Sequence, residues 1–95
     1  MLPEQAQTFA DFQNSALHNE VFDSKTTILF HLAAAMAVGC SPWMEHYLGV
    51  TRKEGISDEE IGTVQSIVMS LASCRVRSQV KEVQEKIKQK SEDSS

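Results

Sequence analysis

The stretch from Thr26 to Gly39, TTILFHLAAAMAVG, carries one ionisable side chain, His31, and is otherwise apolar or small. Apolar residues on every side of a helix require cover on every side. The run ends after 14 residues, short of the ~20 needed to cross a bilayer, so the cover has to be protein. A chain of 95 residues buries only roughly 60–65% of the surface its unfolded form exposes, and has little material to surround such a helix. The expectation is a homo-oligomer in which another subunit covers one face of it. The chain's own remaining helices are the alternative cover. Ala33, Ala34, Ala35, Ala37 and Gly39 allow close approach in either case.

After Gly39 the chain runs into Cys40-Ser41-Pro42 and turns amphipathic through Trp43, Met44, Tyr47, Leu48 and Val50. Ser41 is expected as the N-cap of this helix and Pro42 as its first residue, with Gly55 as its stop. A thiol at a helix start gains from the helix dipole and from free backbone N–H groups, which favour the thiolate. Cys40 is therefore the candidate nucleophile, with His46 on the same helix and His31 on the preceding one as candidate bases. The plainer reading of Cys40 is a small buried hydrophobe beside a break, and of His31 and His46 satisfied core or interface histidines. Trp43 and Tyr47 read as core or interface aromatics. Cys74 lies mid-helix among Ser and Arg, with no activating context.

The remaining elements are also helical, so the fold class is all-α, a bundle of four to five helices in a single domain over residues 1–90. Pro3 suits a first helical turn, and Ala6, Phe9, Phe12, Ala16 and Leu17 recur at helical spacing behind it. Asp23 or Ser24 is the expected N-cap of the apolar helix. Ser57-Asp58-Glu59-Glu60 is a capping box, with Ile56 and Ile61 placed as a hydrophobic staple and Ile61, Val64, Val68 and Leu71 as a buried stripe. Val76, Val80, Val83 and Ile87 continue as an amphipathic stripe, with Glu82 and Lys86 as an i,i+4 pair on the outer side. No Gly or Pro separates the two stripes, so they form two helices or one bent helix. Residues 91–95 are expected to be a disordered tail.

A net charge of −4 argues against nucleic acid or an anionic membrane as partner. No signal-peptide pattern is visible in the first residues, and two cysteines without a CxxC suit a reducing, cytoplasmic setting, which is the expectation. Three His and two distant Cys give no zinc spacing, and no phosphate loop is present, so neither a metal nor a cofactor is expected.

KTTILFHLAAAMAVGC, the short helix after it, and EGISDEEIGTVQSIV resemble the carboxymuconolactone decarboxylase superfamily, which includes alkylhydroperoxidase D. The resemblance covers roughly Asp23 to Leu71. It implies an all-helical fold and assembly as a dimer, trimer or hexamer. In the redox branch it implies an antioxidant dithiol peroxidase built on Cys-x-x-Cys-x-x-x-His, with a Glu twelve residues before the first Cys. Carried over by position, the first thiol falls on Cys40, the second on Trp43, the His on Tyr47 and the Glu on Ile28. One of those four groups is present here. His31 is a candidate replacement for the Glu. The decarboxylase branch does not depend on the dithiol. Three functions thus stay open: a one-cysteine thiol peroxidase or oxidoreductase acting through Cys40, a non-redox protein binding or decarboxylating a small organic acid in an intersubunit pocket, and a structural homo-oligomer without catalysis.

Overall fold

The computed structural model describes residues 1–93, and within them the chain forms four helices and no strand. They are α1 (Pro3–Leu17), α2 (Ser24–Val38), α3 (Ser41–Lys53) and α4 (Asp58–Asp93). α2 is the centre, with α3 and α4 packed along it.

Local chemistry accounts for each end of α2. The Thr26 N–H donates to Asp23 Oδ1 at 2.7 Å, so Asp23 is the N-cap. At the other end Gly39 adopts φ 78°, a left-handed conformation that glycine enters without a Cβ penalty. The N–H groups of Gly39 and Cys40 both turn back onto the Ala35 carbonyl at 3.0 Å. This return leaves Cys40 extended and gives it, rather than Ser41, the N-cap position of α3: the Met44 N–H donates to the Cys40 carbonyl at 2.9 Å. α3 then starts at Ser41 with Pro42 second, where a missing N–H still costs nothing.

One side of α2, Ile28, Leu32 and Ala35, is buried against α3 and α4 together with Tyr47, Thr51 and Ile56. Its other side keeps Phe30 and Val38 exposed, with Phe30 against Phe22 at 5.3 Å between ring centres. α1 buries no residue, and Phe9 and Phe12 are largely exposed, with Phe12 also edging the space between α1, α2 and α3. What ties it to α2 is Asn19. Its amide donates to the Ala16 carbonyl (2.9 Å) and to Thr27 Oγ1 (3.1 Å), while Oδ1 accepts the N–H groups of Val21 (3.0 Å) and Phe22 (2.8 Å).

The capping box forms as expected: Ser57 Oγ accepts the Glu60 N–H at 3.1 Å and Glu60 Oε1 accepts the Ser57 N–H at 3.4 Å. Lys25 forms an ion pair with Glu60 and so ties the start of α2 to the start of α4. α4 is one continuous helix of 36 residues. Its expected stripe is only half-buried at Ile61, Val64 and Val68, and Leu71 is exposed, because α2 runs alongside only the first turns. Beyond Leu71 every described residue is exposed, and the Glu82–Lys86 pair forms at 3.4 Å. The helix also runs through residues 91–93, where a disordered tail was expected; residues 94 and 95 lie outside the described residues.

Candidate functional site

The corner at Gly39–Cys40 folds α3 back beside α2, and α1 flanks the pair. A cleft of about 330 Å³ opens between them, lined by Phe12, Gln13 and Ala16 of α1, His31, Ala34, Ala35 and Val38 of α2, and Cys40, Trp43 and Tyr47. Ala34 and Ala35 make the room: larger side chains there would fill it. That size is at the small end for organic ligands.

His31 is fixed within it. Its Nδ1 lies 2.8 Å from the Thr27 carbonyl oxygen. A carbonyl can only accept, so Nδ1 carries the proton, and in the neutral ring the lone pair is on Nε2. Thr27 itself is buried and held by Asn19, which makes the anchor rigid. The His31 ring packs on Tyr47 at 5.1 Å between centres, and Tyr47 stacks on Trp43 at 5.7 Å. Tyr47 is 6% exposed, and burial pushes its phenol above the ordinary value of 10.0. It therefore stays a neutral O–H donor at any physiological pH.

The remaining expected site residues separate. Cys40 is half-buried, a free thiol, and lines the cleft with His31. Its side chain makes no capping hydrogen bond to α3, so backbone donors do not engage the sulfur. His46 is exposed and stands edge-on behind the aromatic pair, at 5.5 Å from Trp43 and 4.9 Å from Tyr47. It faces a neighbouring hollow with Gln13, Asn14 and Leu17, not the cleft of Cys40 and His31. Cys74 is exposed on α4 and does not line the cleft. Among the described residues, no group of three or more His, Cys, Asp or Glu is placed to hold a metal ion, and no helix is long and apolar enough to cross a membrane.

Sequence reasoning treated Tyr47 as packing and overlooked Thr27. The available signal for Tyr47 was its spacing, seven residues after Cys40, and for Thr27 its position four residues before His31. No Lys or Arg lines the cleft. His31 supplies a proton acceptor, Tyr47 a neutral O–H donor and Cys40 a thiol, and apart from Gln13 and the Trp43 indole the walls are apolar.

Among the described residues the chain is all-helical, and its central helices meet at a cysteine-bearing corner. The carboxymuconolactone decarboxylase family model matches residues 3–85, which takes in α1, α2, α3 and most of α4. The chain belongs to the carboxymuconolactone decarboxylase family. No curated protein and no solved structure matches it.

Proposed function

We propose that this carboxymuconolactone decarboxylase-like chain binds a compact, mostly apolar organic acid or lactone in the α1–α2–α3 cleft and transfers a proton on it, with decarboxylation as the reaction class. The observation that supports this reading is His31: Thr27 holds Nδ1, which leaves Nε2 as the nitrogen that exchanges a proton, and the ring lines an apolar cleft against Tyr47. In decarboxylation the carbon–carboxyl bond breaks and its electron pair stays on carbon. His31, protonated at Nε2, supplies the proton to that carbon and regains one from solvent. The Tyr47 O–H donates to the substrate oxygen on which charge accumulates. Apolar walls disfavour the charged carboxylate and not the neutral carbon dioxide that leaves.

Release of carbon dioxide from a panel of small unsaturated carboxylic acids and their lactones tests the proposal. His31→Ala should lower kcat on the order of 10²–10⁴-fold with a much smaller change in KM. Tyr47→Phe should lower it less. Unchanged turnover in His31→Ala rules the assignment out.

Cys40 in the same cleft supports a second reading, a one-cysteine thiol peroxidase. Its sulfur would attack a hydroperoxide, giving a sulfenic acid and an alcohol. One small-molecule thiol would then form a mixed disulfide and release water, and a second would regenerate Cys40 with a disulfide as product. The two readings part on Cys40→Ser, which abolishes peroxide consumption and spares decarboxylation. A two-cysteine cycle is not proposed, because Trp43 stands three residues after Cys40 and Cys74 lies outside the cleft. The two free thiols support a reducing, cytoplasmic place of work.

A further inference from the structure

His31 borders more than the cleft. The same ring, with Ala16, also edges a second open hollow of about 270 Å³, completed by Asn19, Phe22, Thr27 and Phe30. Thr27 lies three residues before Phe30 and four before His31, so both rings are its neighbours on the surface of α2. From α1 the partition between the two spaces is Ala16 alone, whose side chain is one methyl group.

The polar groups around the second hollow are already committed. Asn19 uses both amide hydrogens, on the Ala16 carbonyl and on Thr27 Oγ1, and its Oδ1 accepts the N–H groups of Val21 and Phe22. Thr27 is buried, and its carbonyl lies against His31 Nδ1. A polar ligand group would find no free partner there. What the hollow presents instead is aromatic. Phe22 and Phe30 lie 5.3 Å apart between ring centres, tilted by 48°, and each is half-exposed or more. Asn19 holds the Phe22 backbone in place beside them. Apolar cavities of ~150 Å³ take up benzene, so this space has room for an aryl ring.

We propose that the ligand of the cleft is a monocarboxylic acid, or its lactone, carrying an aryl substituent that passes His31 and lies against Phe22 and Phe30. This rests on the reading of the cleft as an acid or lactone site, and it adds the other half of the molecule. The oxygen-bearing head meets Tyr47 and His31 on one side, and the ring covers the exposed aromatic pair on the other. A plain alkyl tail fits less well, because offset or edge-to-face packing on two rings adds to the area an aryl group buries. A second carboxylate does not fit. No Lys or Arg lines either hollow, so a dianion would lose water without gaining a counter-charge. Phe22 and Phe30 are thus specificity residues and take no part in proton transfer.

The test measures binding to the full chain with saturated acids, which have no reaction to undergo. Trp43 is the chain's one tryptophan and lines the cleft, so its fluorescence reports occupancy by the head group. Butanoate, hexanoate, 3-phenylpropanoate and butanedioate are the probes. Affinity should rise about two- to fourfold for each methylene added from butanoate to hexanoate. 3-Phenylpropanoate should bind more tightly than hexanoate and at least about tenfold more tightly than butanoate. Butanedioate should bind most weakly. Phe30→Ala and Phe22→Ala should each weaken 3-phenylpropanoate by about fivefold or more and leave butanoate within about twofold. Equal affinities across the three monoacids overturn the proposal, as do variants that weaken butanoate as much as 3-phenylpropanoate. If another protein chain covers the two phenylalanines, the series is flat and the variants change the sedimentation coefficient, which overturns it too. No response of Trp43 to any acid removes the proposal together with the cleft reading. Graded binding without carbon dioxide release from the unsaturated counterparts removes the reaction and leaves the aryl site standing. Should either variant lose helix content, the acid series on the unaltered protein decides alone.

Discussion

Leu32 is fully buried on α2, and the side of the helix it occupies is the part of this chain that most resembles an ordinary protein core. Leu32→Ala should cost about 2–5 kcal/mol, read as a fall in the midpoint of denaturant unfolding. A change under about 0.5 kcal/mol would mean that the site collapses onto the smaller residue or that α3 is not seated there. Two acidic residues set the response to acid. Hydrogen bonding to Thr26 holds the Asp23 carboxyl below its ordinary value, and Lys25, then Ser57, does the same for Glu60. Both groups are depressed in the folded state, so the stability they contribute is present above the unfolded value, near 4, and is lost as pH falls through the lower folded value. Thermal midpoints followed from pH 6 to pH 3 should therefore fall, and the fall should shrink when Asp23 and Glu60 are both changed to Ala. At this scale the caps were legible and the site was only partly so. Asp23 and Ser57 act over three residues, a range that sequence displays. Tyr47 becomes a buried phenol against His31 only because α3 folds back on α2, and no local pattern encodes that contact.

Elements were legible in their kind and less so in their joints. α1, α3 and α4 were visible from their apolar spacing, because a 3.6-residue period needs no knowledge of neighbours, and α2 from its uninterrupted apolar run. The start of α3 was misplaced by one residue. Ser and Pro in succession favour a cap at Ser41, and the competing term was the bond from the Cys40 N–H to Ala35, created by Gly39 in the left-handed region. Gly39→Ala should lower stability by about 1 kcal/mol, even though open space surrounds its Cα, because the penalty lies in the backbone and not in contacts. The same variant should loosen the cleft, which a ligand thermal-shift series would report as weaker binding. Ser57→Ala removes the acceptor of the Glu60 N–H at the head of α4 and should cost ~1 kcal/mol. Hydrogen exchange should then speed up in the first turn of α4 before anywhere else in that helix. The joint between the two apolar stripes of α4 could not be read in advance. Absence of Gly and Pro permits continuity without requiring it.

The whole molecule measures 61 × 41 × 24 Å, with a radius of gyration of 19.6 Å, where a compact chain of this length has roughly 12–13 Å. Such an outline is more extended than that of a compact chain of this length. Sequence indicated that cover was missing and assigned the gap to α2, the most apolar helix. In the structure α3 and α4 cover one side of α2, and the larger uncovered stripes lie on α1 and distal α4. Hydrophobicity counts apolar residues, whereas burial depends on which of them the chain can reach with its own remaining length. If a second copy supplies the cover, the unfolding midpoint should rise with protein concentration, as mass action requires. Phe12 then gains a second meaning. It is 69% exposed on α1 and at the same time forms part of the cleft wall. A chain laid over α1 would press on a residue that shapes the cleft, so the cleft would be finished by assembly and left open without it. Ligand binding per protomer would then fall on dilution while the folded fraction held steady, and the working unit would be a population property rather than a molecular one.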